Sequence, residues 1–392
     1  MARSGRTALV LDPRSGPALA VARSLGRAGW RVFAQTGGRV ASSRYVEGLV
    51  DLPSAFDAPA EFAAAVGDVL EHGDFDVVIP CSDATLLALS AQRDHLGNAR
   101  IMGGDIGWTD KAEGLRRADA VSFPTPAWVA PASREEAREA AARIGFPCVV
   151  KPRLSYVESG GRLVQRRLAF VSDPGELGPA LDALAEPDGS LPVIQAYAPG
   201  RSVAAGAVVS GGRVVAAAAR ETLTFDPLRG GTSVWKRAVP LDEAGVQEAL
   251  DLLTASGYDG IGEVEFQLGH EGVPRFMEVS ARLFAWIGLA VAAGVDLPLA
   301  AAQALVGDPV TLASAYVPGT QMRWPAGEVR RLRSLARRSP GLPPGVSRGA
   351  ALRRIWPPWA PNMRYDGFSR DDPGPWLPGR SRREAAKPVI RP

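Results

Sequence analysis

Cysteine and histidine are scarce in this chain, and their scarcity excludes several classes of site. The 392 residues include two cysteines, Cys81 and Cys148. Two are too few for a disulfide framework, so we expect both to be buried thiols of a protein in a reducing cytoplasm. The histidines, His72, His95 and His270, show no zinc-ligand spacing, and we expect them at the surface.

Long apolar runs are also missing. The stretch from 283 to 295 (LFAWIGLAVAAGV) is shorter than the roughly 20 residues that span a bilayer. Asp296 and Pro298 interrupt the apolar sequence that follows it, so we expect a buried helix and no membrane contact. The basic N-terminus leads into an apolar stretch that Asp12 and Pro13 break, and we expect no signal peptide.

Lysine makes up only four of the 45 basic side chains, and three of the four lie in distinctive runs. Lys111 follows Thr-Asp, Lys151 stands in Cys-Val-Val-Lys-Pro, and Lys236 comes shortly after Gly230-Gly231; Lys387 lies in the tail. A compact ammonium on a flexible stem suits a phosphate oxygen in a narrow cleft better than the planar guanidinium of arginine does. The pattern indicates phosphate binding at the first three positions.

The net charge of +3 conceals a basic C-terminal segment and an acidic remainder. From Arg323 to Pro392 there are 16 lysines and arginines but five aspartates and glutamates. A nucleic-acid-binding module needs a basic folded face with interleaved aromatics, whereas this segment is rich in proline and glycine. We expect it to pack against the acidic body and expect no nucleic-acid contact; capping of a site, dimerisation and partial disorder stay open for it. Its tryptophans are Trp324, Trp356, Trp359 and Trp376.

The first third of the chain alternates strand and helix patterns. Strands are predicted at 7–12, 31–35 and 76–80, and helices at 17–28, 61–71 and 86–92. This alternation predicts an open parallel sheet with helices on both faces, Rossmann-like in outline. The turn after the first strand, at 12–16 (DPRSG), lacks the G-x-G-x-x-G of dinucleotide-binding folds, so we expect no dinucleotide site.

The sequence after Pro124 and Pro126 predicts an α+β region with antiparallel strands. Helices are predicted at 134–144, 174–185 and 242–255, and strands at 147–152, 168–172, 193–197, 203–209, 214–220, 261–268 and 274–280. A glycine-containing loop falls at 159–161. Beyond about 318, only 330–337 shows a periodic pattern.

Two strand-like segments carry the strongest chemical pattern. Glu263 and Glu265 alternate along the first segment, a short turn at 269–272 follows, and Glu278 lies on the second. If the segments pair, alternation places Glu265 opposite Glu278. Two unpaired carboxylates repel unless a divalent cation lies between them, and Mg²⁺ prefers such ligands while leaving positions open for phosphates. Two solvated glutamates on an exposed hairpin are the alternative.

The same alternation predicts one shared face for Phe276, Glu278 and Ser280, with Arg282 continuing the row. An arginine in that position can stabilise charge on a transferring phosphoryl group. The pattern therefore indicates metal ligation and charge stabilisation along one face of the hairpin.

In this order the motifs resemble the ATP-grasp superfamily, in particular its carboxylate–amine ligases, from the N-terminus to about Asp308. The runs at 43–45 (SRY) and 79–83 (IPCSD) are similar to phrases of the first domain of these enzymes. The resemblance implies an α/β plus α+β fold, in which a Rossmann-like pre-ATP-grasp domain precedes a two-subdomain ATP-grasp fold. It implies a pre-ATP-grasp domain at 1–118, a first subdomain at 119–190, a second subdomain with the metal site at 191–312, and a basic Pro/Trp/Arg-rich extension at 313–392.

The resemblance also implies roles for individual residues. Lys111 and Lys151 look like the two lysines that reach the ATP phosphates, and Arg282 like the arginine that steadies the γ-phosphate. The metal-ligand positions fall on Glu265, Glu278 and Ser280. The segment 193–200 resembles the hinge that binds adenine, through the backbone of Ala196 and Ala198 beside Gln195 and Tyr197. Arg220, the run 230–233 (GGTS) and Lys236 resemble a loop near phosphate or the acceptor in some of these ligases, and 284–298 resembles the closing helix.

Three positions depart from the family pattern. Ser280 stands where asparagine is usual. Gln195 and Ala196 stand where the hinge commonly has glutamate. The phosphate-covering loop at 154–165 has only two adjacent glycines.

The implied activity is ATP-dependent joining of a carboxylate to an amine through an acylphosphate, with Mg²⁺ or Mn²⁺. The partners are then small molecules, such as an amino acid, a peptide or a natural-product intermediate, and a homodimer is left open. Transfer to a thiol, and a degenerate module that binds nucleotide without turnover, are the alternatives. Substrate-facing loops are expected to include Arg153, Tyr156, Arg229 and Trp235, with simple packing of Trp235 and surface exposure of Arg153 as alternatives.

Overall fold

The computed structural model describes residues 5–91, 96, 99–228, 230–312, 315–337, 347–353, 360–377 and 387–391. Predictions made for His95, Arg229, Trp356 and Trp359 lie outside these residues, as does the end of the helix predicted at 86–92. The described strands form a six-stranded sheet, a four-stranded sheet, a seven-stranded sheet and a separate hairpin.

The N-terminal sheet is parallel, as the alternating pattern predicts. Its strands are β1 (Thr7–Val10), β2 (Arg31–Gln35), β3 (Gly48–Val50), β4 (Val77–Ile79) and β5 (Arg100–Ile101). The helices between them are α1 (Gly16–Arg27), α2 (Pro59–His72) and α3 (Asp83–Ser90). The strand order is β3-β2-β1-β4-β5, so connections leave β1 toward opposite sides and open a crevice at the carboxyl ends of β1 and β4. The short strand β3 was not predicted.

The second region contains α4 (Lys111–Ala120), β6 (Trp128–Val129), α5 (Arg134–Ile144), β7 (Cys148–Lys151), β8 (Tyr156–Ser159), β9 (Arg162–Gln165), β10 (Ala169–Val171), α6 (Pro174–Leu184) and β11 (Val193–Ala196). Four of its strands form an antiparallel sheet in the order β10-β7-β11-β6. The segment expected to be a loop at 154–165 instead contains the hairpin β8–β9. Gly160 and Gly161 have positive φ values of 59° and 74° in its turn, where a side chain would be strained.

The large sheet has the order β16-β15-β12-β13-β14-β17-β18. Its strands are β12 (Arg201–Ser210), β13 (Arg213–Asp226), β14 (Thr232–Val239), β15 (Gly260–Leu268), β16 (Pro274–Ser280), β17 (Gln321–Arg323) and β18 (Met363–Tyr365). The helices of this region are α7 (Val246–Ala255), α8 (Ile287–Ala292), α9 (Leu297–Val306), α10 (Pro325–Ala336) and α11 (Arg348–Arg353). The strand β14 was not predicted, and β12 and β13 extend beyond their predicted ends.

The apolar stretch at 283–295 was predicted to be one buried helix, and this prediction is wrong in length. Only α8 is helical within it, and α9 begins directly afterwards. Asp296 separates the two because its carboxylate accepts a hydrogen bond from the Leu299 amide at 3.1 Å and caps α9. Across the described ranges, no helix has both the length and the apolar character needed to cross a membrane.

The described part of the C-terminal segment packs against the body, as expected. The strands β17 and β18 extend the large sheet, and β19 (Val389–Ile390) pairs with β3. The buried ion pair of this contact joins Asp372 of the segment to Arg23 of α1, with 2.8 Å between Oδ2 and Nε. In this pair the basic C-terminal segment supplies the acid and the acidic body supplies the base, the reverse of what their net charges suggest.

The scarce residues behave as predicted where the structure describes them. Cys81 and Cys148 are free, buried thiols. His72, at the end of α2, and His270, in the β15–β16 turn, are exposed.

Candidate active site

Glu265 and Glu278 face each other on paired strands. They are direct partners in the antiparallel register of β15 and β16, so their side chains lie on the same face of the sheet, as predicted. The side chain of Glu278 makes no hydrogen bond or ion pair within the part of the chain that the structure describes. The two carboxylates therefore stand close together, with the oxygens of Glu278 free to bind a ligand.

The predicted shared face is wrong for Phe276. The register shifts between Glu265 and Phe266, so that Phe276 pairs with Phe266 and Met277 is the extra residue of a β-bulge. One extra residue reverses the alternation, and Phe276 points into the core, with its ring centroid 6.1 Å from that of Phe123. The bulge thus separates a buried aromatic from Glu278, two positions later.

Arg220 lies against Glu265. Its Nη2 donates to Oε1 of Glu265 at 2.6 Å, and it lies 3.8 Å from Oε2 of Glu263. Burial raises the pKa of Glu265 to about 7, although the positive charge of Arg220 acts in the opposite direction. Glu263 is buried as well and accepts a hydrogen bond from Trp286 Nε1 at 2.5 Å.

Lys151 and Lys111 both lie near Glu278. Lys151 is buried at the end of β7, and its Nζ lies 4.0 Å from the Met277 sulfur. Burial lowers the pKa of Lys151 to about 8, against the attraction of Glu278. Lys111 is the first residue of α4, and its Nζ donates to Ser155 Oγ at 2.8 Å.

The cleft runs between α3, the β8–β9 hairpin and the end of β16. Ser280 and Arg282 line it together with Glu278 and Lys111. Arg282 forms a two-point contact with Asp83, the first residue of α3, from Nε to Oδ1 at 2.8 Å and from Nη2 to Oδ2 at 2.9 Å. The cleft therefore brings Lys111 together with Glu278, Ser280 and Arg282, all of which the sequence pattern marked as candidate functional residues.

The expected adenine hinge lies on and just after β11. Gln195 is buried, and its Nε2 has no hydrogen-bond partner among the described residues. The Ala196 amide donates to the Ala127 carbonyl at 2.8 Å and so is not available to a base. The Ala198 amide has no acceptor within the described chain, and the ring of Tyr197 packs 6.0 Å from that of Phe170. A buried, unpaired donor and an open amide suit a polar ligand.

Lys236 is not brought to the cleft. Its Nζ donates to the Ala285 carbonyl at 3.0 Å and lies 3.5 Å from Oδ2 of Asp366 in the C-terminal segment. The side chain is buried, and burial lowers its pKa. Lys236 also lies close enough to Arg220 and Glu263 for their charges to affect its pKa, and its role near phosphate or the acceptor stays a prediction.

The residues expected in substrate loops divide between the cleft and packing. Tyr156 lines the cleft. Arg153 pairs with Asp110 and donates its amide to Glu186, and its side chain is 29% exposed. Trp235 donates to Gln321 at 2.8 Å, and the Arg323 guanidinium stacks 3.8 Å from its ring, so packing accounts for it.

The oxygen donors of Glu265, Glu278 and Ser280 fit a small hard cation. Glu265 has one oxygen bound by Arg220, whereas its Oε2 and both oxygens of Glu278 carry no hydrogen bond from the described residues. In the described ranges no group of three or more His, Cys, Asp or Glu side chains is arranged to hold a metal ion. Two carboxylates and a hydroxyl, with further positions left open, form the kind of set that Mg²⁺ takes beside phosphates.

Sequence reasoning missed two side chains of this site. Asp83 was noted only within a family phrase, although an acidic residue following a buried strand and a serine cap is a signal for a ligand-facing helix start. Ser155 gave no signal, because its contact with Lys111 depends on how the β8–β9 hairpin folds back over α4.

Comparisons with known proteins agree with this architecture. No family model matches the chain. Biotin carboxylase from Campylobacter jejuni superposes with a TM-score of 0.65 at 17% identity, over 81% of this chain and 74% of that one. The biotin carboxylase domain of Hydrogenobacter thermophilus 2-oxoglutarate carboxylase gives 0.62 at 16% identity, over 81% and 74%. N5-carboxyaminoimidazole synthetase from Staphylococcus aureus gives 0.58 at 13% identity, over 79% of each chain. These neighbours are ATP-grasp enzymes, and this chain has the ATP-grasp fold.

Proposed function

We propose that this protein is an ATP-dependent ligase that joins a carboxylate to an amine through an acylphosphate and releases ADP and phosphate. The observation that carries the proposal is the cleft that Lys111, Glu278, Ser280 and Arg282 line together, with Lys151 buried beside it. Lys111 comes from α4, Lys151 from β7 of the four-stranded sheet, and Glu278 and Ser280 from β16 of the large sheet. Such a site can hold a polyanion together with its counter-ion.

The structural neighbours support nucleotide use. The Campylobacter jejuni enzyme forms a complex with β-γ-ATP, and the Hydrogenobacter thermophilus domain is a dimer in complex with MgADP, ADP and bicarbonate. By analogy, we propose ATP and Mg²⁺ for this chain. A homodimer and a cytoplasmic location stay predictions.

We propose that ATP lies with its base at the hinge and its phosphates between Lys111 and Lys151. The buried Nε2 of Gln195 and the open amide of Ala198 are the available donors at the base end. The two ammonium groups neutralise phosphate charge in a partly dehydrated cleft, where each contact is stronger than in water.

Glu265, Glu278 and Ser280 would hold Mg²⁺, which, when bound, neutralises charge on the phosphates. The rest of the catalysis that we propose is positioning and electrostatic stabilisation by the chain itself. Arg282 is placed to stabilise charge on the phosphoryl group as it passes to the substrate carboxylate. The bond from the γ-phosphorus to the bridging oxygen breaks, a bond to the carboxylate oxygen forms, and the amine then displaces phosphate.

A nucleotide-binding module without turnover is the second candidate, and one contact favours it. The Arg220–Glu265 ion pair, at 2.6 Å, places a cation on one of the three proposed metal ligands. If ATP binding does not release Glu265 from this pair, the metal site stays incomplete. The free carboxylate of Glu278 and the cleft position of Arg282 favour turnover.

The deciding experiment is phosphate release from ATP and Mg²⁺ across a panel of amino acids and small peptides, comparing wild type with Glu278→Ala. We expect stimulation by a specific acid and a loss of at least about 100-fold in the variant, because a metal carboxylate and a charge in the cleft are removed. Glu271→Ala is the matched control, since Glu271 lies in the turn of the same hairpin, pairs with Arg275 and does not line the cleft.

Hydroxylamine in the assay would trap an acylphosphate as a hydroxamate, which separates the proposed route from plain hydrolysis. ATP binding without stimulation by any acid would favour the second candidate. Absence of ATP binding would overturn both.

A further inference from the structure

The side chain of Arg282 is held at the boundary between the N-terminal sheet and the large sheet. Two of its nitrogens bind the two oxygens of Asp83, at 2.8 and 2.9 Å, across 199 positions of sequence. A third nitrogen, Nη1, donates to the Leu283 carbonyl at 2.8 Å. These three bonds fix both the plane and the rotation of the guanidinium.

A guanidinium has five N–H groups, so two of those on Arg282 stay available, one on Nη1 and one on Nη2. The ion pair is largely shielded from solvent, because the side chains of Arg282 and Asp83 are only 19% and 20% exposed. Both residues line the same cleft as Lys111 and Glu278. Asp83 therefore engages the Nε edge of the arginine and leaves the Nη end for a ligand in the cleft.

The residues around Asp83 are held in place by the buried carboxylate of Asp12. Oδ1 of Asp12 accepts hydrogen bonds from Ser82 Oγ at 2.9 Å and Thr85 Oγ1 at 2.6 Å, and Oδ2 accepts from the Cys81 amide at 2.8 Å. Asp12 has a φ of 59°, a conformation uncommon outside glycine, which its neighbours must hold in place. This network anchors the start of α3, where Asp83 is the first residue.

We propose that Asp83 is a positioning residue, which orients Arg282 so that its two remaining N–H groups meet the terminal phosphate of ATP. The inference rests on the proposed function and adds the first residue of α3 to the machinery of the large sheet. Without Asp83, the long arginine side chain samples many rotamers and must lose that freedom whenever a ligand binds.

The test compares two nucleotides in each variant, with Mg²⁺ present: ADP and a non-hydrolysable ATP analogue. Wild type is expected to prefer the triphosphate, and Asp83→Asn to lose about tenfold of that preference, because its charge-assisted contact with Arg282 is lost. The affinity for ADP should not change, since ADP lacks the phosphate that Arg282 addresses. If the role of Asp83 were merely structural, the substitution would weaken the binding of both nucleotides equally.

Asp308→Asn is the matched control. Asp308 forms a similar two-point ion pair with Arg6, at 3.1 and 2.7 Å, but it does not line the cleft, so both affinities should stay at the wild-type value. If Asp83→Asn does not fold, Asp83→Glu decides, because it keeps the charge but displaces the carboxylate.

An unchanged triphosphate preference in the Asp83 variants overturns the inference, and so does equal affinity of wild type for the two nucleotides. Wild type that binds neither nucleotide overturns the proposed function and this inference with it.

Discussion

The protonation behaviour of Lys151 depends on its position at the end of β7. The strand carries its side chain into the interior beside the hairpin that bears Glu265 and Glu278, and burial lowers its pKa to about 8. A lysine in that range exists in both protonation states under ordinary buffer conditions, whereas an exposed lysine stays charged. The affinity of the cleft for phosphate should therefore depend on pH through this residue.

We expect nucleotide affinity at saturating Mg²⁺ to fall as the pH rises from about 7 to about 9, because deprotonated Lys151 no longer attracts phosphate. The sign follows from the lowered pKa: the charged form binds, and it is lost above about pH 8. Lys151→Ala should weaken binding about 10- to 100-fold at neutral pH and remove most of this dependence. Titration calorimetry at several pH values measures both effects.

Lys387→Ala is the control, because Lys387 does not line the cleft and donates to the backbone carbonyls of Ala41 and Ser43. Equal pH profiles for wild type and Lys151→Ala would contradict the assignment of Lys151.

The lysines also show what sequence reasoning can reach at this scale. Their rarity singled out Lys111, Lys151 and Lys236, and the structure places the first two near Glu278. Lys236 looked equivalent, but its contacts are with Ala285 and Asp366, which lie 49 and 130 positions further along the chain. Residue type and local sequence indicate a charge that needs a partner, whereas the partner depends on tertiary packing.

Elements were predicted best where the pattern is strictly local. The bounds of β2, α5 and β16 agree with their predictions because apolar spacing and caps define them. The bulge at Met277 was missed, since a one-residue insertion leaves no sign in an alternating pattern. It decides which residues face the cleft, and only the pairing of β15 with β16 shows it.

The packing of the 284–286 turn on β12 has a stability consequence. A Cβ added at Gly206 would lie 2.3 Å from the Phe284 ring and 2.9 Å from the Trp286 ring. We expect Gly206→Ala to cost about 1–3 kcal/mol, because two stacked rings must move. It should lower the melting temperature and weaken the hydrogen bond from Trp286 to Glu263.

Gly349→Ala in α11 is the control, since its added Cβ meets nothing within 4 Å. There the change should stabilise the helix by about 0.5–1 kcal/mol. Differential scanning calorimetry of the two variants should give shifts of opposite sign, and a lower melting temperature for both would contradict this reasoning.

The whole molecule is joined at its ends in a way that no local pattern predicts. The C-terminal strand β19 pairs with β3, so Val389 lies beside Leu49 in the N-terminal sheet. Between them in sequence, β17 and β18 extend the large sheet. The C-terminal segment therefore connects both large sheets, and its stability should affect the cleft between them.

Asp372 is the anchor of this connection. It is 1% exposed and accepts hydrogen bonds from Arg23 Nε at 2.8 Å, Ser43 Oγ at 2.7 Å and the Arg44 amide at 2.8 Å. Asp372→Ala leaves the Arg23 charge buried without its partner, which costs about 3–5 kcal/mol. We expect a lower melting temperature and faster proteolysis of the C-terminal segment.

Its neighbour in sequence supplies the comparison. Asp371 binds Arg27 at 3.0 Å, but its side chain is 42% exposed, and an exposed ion pair contributes about 0–1 kcal/mol. Asp371→Ala should therefore melt close to wild type and resist proteolysis as wild type does. Limited proteolysis followed by mass spectrometry locates the first cut in each variant. Equal melting temperatures for the two variants would show that the segment is held by its strands rather than by Asp372, because the pairing of β17, β18 and β19 is common to both.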